Sequence, residues 1–454
     1  MANLIFIELR RLTSNRKTKD EMVFLGSRYA TLKKAGFLPE EFRENEYEDI
    51  RHLIVGGWVN ALSYHLQEHD CSVVFITKDS GPFPELLQNA GNAPIFLISI
   101  MSGNFLQAQK VTEYIRNNCP DATIIVGGVH PTLCPEETAE ILSPDYMVVG
   151  EADEFISPLI ENAIKRTPFL HDGVWNKNMA PPNIKQVSSD PSKFEWSWKL
   201  HHQYSHPANR NIVNYVSTRS CPFHCHFCGI VKTKYQEMSP EKVIAQIKGI
   251  LDFHESVWIH WETPCCFYDQ KITENILQGI KEFKIHFAGQ HRVEEPTPER
   301  RKLYQLAAEA GLDNLFVGIE SVQDNVLNKM NKRNKSHFVE PFLKALKDAG
   351  ITVNSGWIIG IPGQTKDDVK RDMETAVNLI SQGIMAVALP QYLEIYPGTW
   401  FWNNAAKLGI TLHCDVTSYD KITREVAHST SELSKDEIWD LYCEFLATVA
   451  SVIK

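Results

Sequence analysis

Cys221-Pro222-Phe223-His224-Cys225-His226-Phe227-Cys228 is the stretch on which the reading of this chain turns. Its cysteines stand in a C-x3-C-x2-C spacing just after an apolar, β-branched run, Ile212-Val213-Asn214-Tyr215-Val216-Ser217. Three thiolates on one tight loop can hold three irons of a cubane cluster, leaving the fourth iron without a protein ligand. Iron–sulfur clusters are ordinarily held by four cysteines, and an open coordination position separates a reactive metal site from a structural one. The same residues are compatible with a zinc site completed by His224 or His226, with a redox pair at Cys225 and Cys228, or with a buried structural loop. The strand before the loop and the segments after it favour the cluster.

Downstream, from about Asn209 to Ala406, strand-like runs alternate with helical ones, the signature of α/β architecture. The runs are Ile212–Ser217, Val257–Trp261, Ile285–Ala288, Leu315–Ile319, Thr352–Ile359 and Met385–Leu393, with helical patterns such as Pro240–Phe253 and Arg300–Ala310 between them. This spacing predicts a partial barrel rather than a closed eight-stranded one. Working groups of βα barrels sit where strands end. Here those ends carry the cysteine loop, Glu262, Gln290-His291-Arg292, Gly318-Ile319-Glu320-Ser321, Gly360-Ile361-Pro362-Gly363 and Tyr396-Pro397-Gly398-Thr399.

Upstream lies a second α/β region with strand candidates Leu4–Ile7, Ser72–Ile76, Ile95–Ser99, Thr123–Val126 and Tyr146–Val149. These runs lack polar alternation, so they predict a parallel sheet covered on both faces. A charged insertion from about Arg10 to Glu48 follows the first strand. It falls at the carboxyl edge of the sheet, where open α/β folds bind ligands, and reads equally as a cover over a site or as a solvated excursion. The expected domains are 1–165, a linker 166–208, the barrel 209–406 and a helical extension 407–454. In the extension, Ser434 and Glu437 make a capping box, and Ile438, Leu441, Tyr442, Phe445, Leu446 and Val449 recur at helical spacing, which predicts core packing.

The bulk properties narrow the class. The chain has 454 residues, a net charge of -10 and ten cysteines. The negative charge argues against sequence-independent binding to nucleic acid. The N-terminus is not a signal peptide, and no apolar run is long enough for a membrane span. Cysteines this sparse suit a reducing cytoplasm rather than a disulfide framework.

In order, these motifs resemble the radical S-adenosylmethionine (radical SAM) superfamily. The resemblance implies that Cys221, Cys225 and Cys228 hold a [4Fe-4S] cluster. It implies that Glu320, with its neighbour Ser321, contacts SAM near the ribose, and that Gly360 lies near the adenine. Glu262, ending the second strand, joins them as a candidate cofactor contact. Upstream, Val126-Gly127-Gly128-Val129-His130-Pro131-Thr132, Pro135-Glu136-Glu137 and Val148-Val149-Gly150-Glu151-Ala152-Asp153-Glu154 resemble the cobalamin-binding domain of vitamin B12-dependent members. There Ser99, Gly127 and Gly128 are the implied cobalamin contacts, and no Asp-x-His-x-x-Gly segment supplies a histidine to cobalt.

The implied chemistry is reductive cleavage of SAM to a 5'-deoxyadenosyl radical, which attacks an unactivated C–H bond of a small-molecule or peptide substrate. The electron comes from a flavodoxin- or ferredoxin-like donor. The leading expectation is cobalamin-dependent methyl transfer. The runner-up is peptide epimerisation, dehydration or ring rearrangement, in which Cys265 or Cys266 returns a hydrogen atom. These two cysteines also read simply as small apolar fillers.

Overall fold

The computed structural model describes residues 2–9, 56–77, 81–88, 90–179, 186–190, 193–230 and 234–453. The charged insertion lies outside them. The first region forms a six-stranded sheet: β1 (Asn3–Leu9), β2 (Asp70–Ile76), β3 (Ile95–Ser99), β4 (Thr123–Gly127), β5 (Tyr146–Val148) and β6 (Val174–Asn176), in the order β2-β1-β3-β4-β5-β6. β1 to β5 run parallel and β6 returns antiparallel on β5. Alternate residues of each strand serve different cores. Ile5 and Ile7 pack under helix Phe105–Asn118, while Leu4 and Phe6 pack with helix Ile156–Lys165 on the other face. This two-sided burial is why the strands read as unbroken apolar runs. β6 falls within the expected linker, and three residues carry too little pattern to reveal it.

The second region opens with β7 (Ile212–Tyr215). A short antiparallel pair, β8 (Thr218–Arg219) and β9 (Gln236–Glu237), brackets the cysteine loop. β10 (Val257–Trp261), β11 (Ile285–Arg292), β12 (Leu312–Glu320), β13 (Thr352–Ile359) and β14 (Val387–Tyr392) then join β7 in an all-parallel sheet ordered β14-β13-β12-β11-β10-β7. Sequential neighbours thus form an open six-stranded arc, the partial barrel expected.

Period-two alternation sorts its side chains. Tyr215, Ile259, Phe287, Val317 and Val353 face the helices. His260, Gln290, Asn314, Phe316 and Asn354 face the lumen, where they line a cavity of about 460 Å³. The last helix, Lys435–Val452, starts at the expected capping box, with Glu437 N donating to Ser434 Oγ and Ser434 N to Glu437 Oε2. All six of its predicted core residues are buried. Before it, Tyr419, Ile422 and Ala427 enter the core of the first sheet, so the end of the chain ties the two regions together. Among the described residues no helix is long and apolar enough to cross a membrane.

Candidate active site

The cysteine loop is clamped from two sides. His226 N donates to the Met330 carbonyl (2.9 Å), its Nδ1 meets the Lys329 carbonyl (2.8 Å), and Asn331 Nδ2 donates to the His224 carbonyl (2.8 Å). From the other side Phe401 N donates to the His226 carbonyl (3.1 Å), and Trp400 stacks on the His226 ring at 3.7 Å. His226 therefore belongs to the framework of the loop, which weakens its case as a zinc ligand. Burial, then the nearness of Cys265, Cys228 and Cys225, pushes Cys221 up to about 11, and burial with Cys225 raises Cys228. Thiols destabilised as anions chiefly by burial, with a smaller contribution from neighbouring cysteines, are relieved when a metal binds them as thiolates. A preorganised loop with three cysteines fits three irons of a cubane cluster.

Beside this loop lies a set of buried charges from two other strand ends, a loop and a helix. Glu320 ends β12 at φ +67°, where the pairing with β13 skips a residue between Gly318 and Glu320. Such a bulge re-aims a side chain, and here it turns Glu320 onto Lys332 Nζ at 2.7 Å. Burial works against the Lys332 charge, but Glu320 and Cys225 raise its pKa above the ordinary lysine value. The turn is pinned by Asp372, whose Oδ1 accepts from Val322 N (2.8 Å) and Ser321 Oγ (3.0 Å). The Ser321 hydroxyl is thus engaged inside the turn rather than presented outward. From β11, Arg292 lays its guanidinium over the Phe223 ring at 3.7 Å and donates from Nε and Nη2 to Asn334 Oδ1. Sequence reasoning noted Arg292 at a strand end but missed Lys332, Asn334 and Asp372, which no motif spacing links to the cysteines.

Cys265 lies 3.3 Å from His291 Nδ1, and His291 Nε2 lies 3.3 Å from Glu294. Burial alone would raise the Cys265 thiol, but His291, Arg292 and Lys332 outweigh it and hold it below the usual range. Burial likewise opposes charge on His291, yet Cys265 and Glu294 carry it up to about 9. Cys266, partly buried and without such partners, is pushed well above the ordinary thiol value by desolvation. Glu262 points into the lumen cavity, 3.8 Å from His260.

In the first sheet the chain order reverses between β1 and β3, a switch point of the kind that receives ligands. Ser99 ends β3 there, with Met101 half exposed beyond it. Gly127 leaves room, since an added Cβ would meet only Val148, at 3.5 Å and beyond. That open edge with an exposed apolar side chain fits a bulky flat cofactor. Gly128 has a different reason to be glycine: φ is +104°, and a Cβ would sit 2.8 Å from the Ile100 backbone. Gly360, also at positive φ, is covered by His428 and Ile438, so packing explains it as well.

The two edges face each other. Leu133 packs against Gly398 and Gly229. Asp153 Oδ1 accepts from Arg219 at 2.8 Å, two residues before Cys221.

The sequence model of the radical SAM superfamily matches residues 215–376, and that of the B12 binding domain matches residues 54–159. The chain is thus a radical SAM enzyme with an N-terminal B12 binding domain, and the cofactors those domains define are a [4Fe-4S] cluster, SAM and cobalamin. It is similar to the uncharacterized methyltransferase PH0819 of Pyrococcus horikoshii, 23% identical over 409 residues with 86% of each chain covered. It is also similar to the anaerobic magnesium-protoporphyrin IX monomethyl ester cyclase of Rubrivivax gelatinosus, 23% identical over 60% of this chain but only 51% of that protein. In fold it resembles the radical SAM methyltransferase TsrM from Kitasatospora setae, solved with cobalamin and a [4Fe-4S] cluster bound. The TM-score is 0.67 at 12% identity, covering 100% of this chain and 91% of that one.

Proposed function

We propose that this chain is a cobalamin-dependent radical SAM methyltransferase acting on an unactivated carbon. The observation that carries the proposal is the meeting of the two carboxyl edges, which brings the cysteine loop and the B12 domain to one place through Arg219–Asp153 and Leu133–Gly398. Methyltransferases among the proteins it is similar to support this reading. When bound, the cluster and SAM would supply a radical that abstracts hydrogen from carbon, and cobalamin would supply a methyl carrier. Cys221, Cys225 and Cys228 would hold the cluster, Glu320 would contact SAM, and Ser99 and Gly127 would lie against cobalamin. The residues themselves orient and exclude: the clamped loop would fix three irons of the cluster, Glu320 is aimed by its bulge, and the lumen would hold substrate away from water. Reduction calls for a one-electron donor of the flavodoxin or ferredoxin class.

The test is product analysis after anaerobic loading with iron, sulfide and cobalamin, then SAM and a strong reductant. Methyl transfer predicts both 5'-deoxyadenosine and S-adenosylhomocysteine. Deoxyadenosine alone would sink methyl transfer and favour the runner-up chemistry. The runner-up gains from the similarity to a cyclase and from Cys266, which retains its proton and hence the form that donates a hydrogen atom. A Cys266→Ala variant that still returns hydrogen to the substrate would remove that donor.

A further inference from the structure

Among the described residues, Arg292 is a buried cation with no carboxylate partner. Its exposure is 8%, and its hydrogen bonds go to a neutral amide, Asn334 Oδ1, at 3.1 and 2.9 Å. Asn334 is itself committed, donating to the Gly318 carbonyl at 3.1 Å. No carboxylate of the described residues lies within ion-pair distance of Arg292. The neighbouring carboxylates are taken: Glu320 by Lys332 at 2.7 Å, and Glu294 by His291 and Arg300. Burying a guanidinium without an ion-pair partner is costly in a protein interior, so such a charge is retained where something else answers it. Its other neighbours are an aromatic face and sulfur. The guanidinium stacks on Phe223, inside the cysteine loop, at 3.7 Å. Burial disfavours its charge, while Cys225, Cys265 and Cys221 favour it.

We propose that Arg292 is the built-in countercharge of the iron–sulfur cluster, a positioning residue that holds the cysteine loop through Phe223 and raises the reduction potential of the cluster. This rests on the cluster assignment above but not on methyl transfer. The potential of a cluster depends on its net charge, its surroundings and its burial. A fixed cation stabilises the more negative, reduced state, which eases electron delivery from a low-potential donor. Lys332 cannot serve equally, because Glu320 cancels its charge.

The test is an EPR-monitored redox titration of the anaerobically reconstituted full chain without SAM. Arg292→Gln removes the charge, and Asn334→Asp neutralises it in place by supplying the missing carboxylate. Both are expected to move the midpoint to more negative potential with iron content unchanged, whereas Arg292→Lys should stay near the parent value. If Arg292→Gln fails to retain iron, Asn334→Asp alone decides. Iron-loaded variants whose midpoints equal the parent would overturn the proposal. A loss of SAM affinity at unchanged potential would overturn it too, and would assign Arg292 to the SAM carboxylate. Neither result depends on whether a methylated product forms, so failure here is separate from failure of the proposed function.

Discussion

Glu320 and Lys332 face each other at 2.7 Å with side chains only 10% and 9% exposed. Removing one member of such a pair strands the other, at a cost of about 3 kcal/mol or more. Glu320→Gln and Lys332→Met should each lower stability by roughly that amount, and the double variant should regain much of it. Denaturant unfolding measures both, and equal losses in the single and double variants would contradict the pairing. Asp372 gives a pH-dependent prediction. Burial pushes its carboxyl up to about 7, against the bonds it accepts from Val322 and Ser321. An aspartate in the unfolded chain titrates near ~3.9, so the folded state holds the proton more tightly. The stability from this group is fully present below about pH 4 and is lost as pH rises through about 7, at most roughly 4 kcal/mol. The melting temperature should therefore fall over that window, and Asp372→Asn should flatten the dependence. At this scale the cysteines were legible because their spacing is local. The polar groups around them were not, because Arg292, Lys332, Asn334 and Asp372 come from a strand, a loop and a helix that only folding brings to the cysteine loop.

The glycine turn after β4 separates two roles that the sequence presents as one. Gly128→Ala forces a positive φ and a 2.8 Å approach to the Ile100 backbone, and should cost about 3 kcal/mol. Gly127→Ala meets only Val148 at 3.5 Å and beyond and should change stability by less than about 0.5 kcal/mol. If Gly127 lies against cobalamin, that variant should bind cobalamin more weakly while melting normally; unchanged cobalamin binding would remove Gly127 from the site. Elements with strong pattern were readable. β10 and β13 coincide with the predicted runs Val257–Trp261 and Thr352–Ile359, because buried parallel strands concentrate apolar and β-branched residues. β11 and β12 extend past their predicted ends to Arg292 and Glu320. There the chain trades core residues for buried polar ones, which hydropathy cannot separate from loop. β6, β8 and β9 are held by their partners rather than by any pattern of their own.

Across the whole molecule, the parallel strands of two sheets present their carboxyl edges to each other, and the last segment stitches them by sending Tyr419 into the first core while Tyr419 OH donates to Glu137 Oε2 at 2.9 Å. Class and architecture were legible at this scale because each half carries its own alternation of strands and helices. The contacts between the halves were not, since Arg219–Asp153 and Gly398–Leu133 join residues far apart in the chain. The proposed function requires two cofactors sharing one site. The direct measurement is metal content after anaerobic reconstitution with iron, sulfide and hydroxocobalamin, on the parent and on Cys221→Ala/Cys225→Ala/Cys228→Ala. The parent should hold about four irons and about one cobalt per chain, and the triple variant should lose the iron while keeping the cobalt. Zinc in place of iron, or iron retained by the triple variant, would contradict the cluster assignment, and iron without cobalt would contradict the shared site.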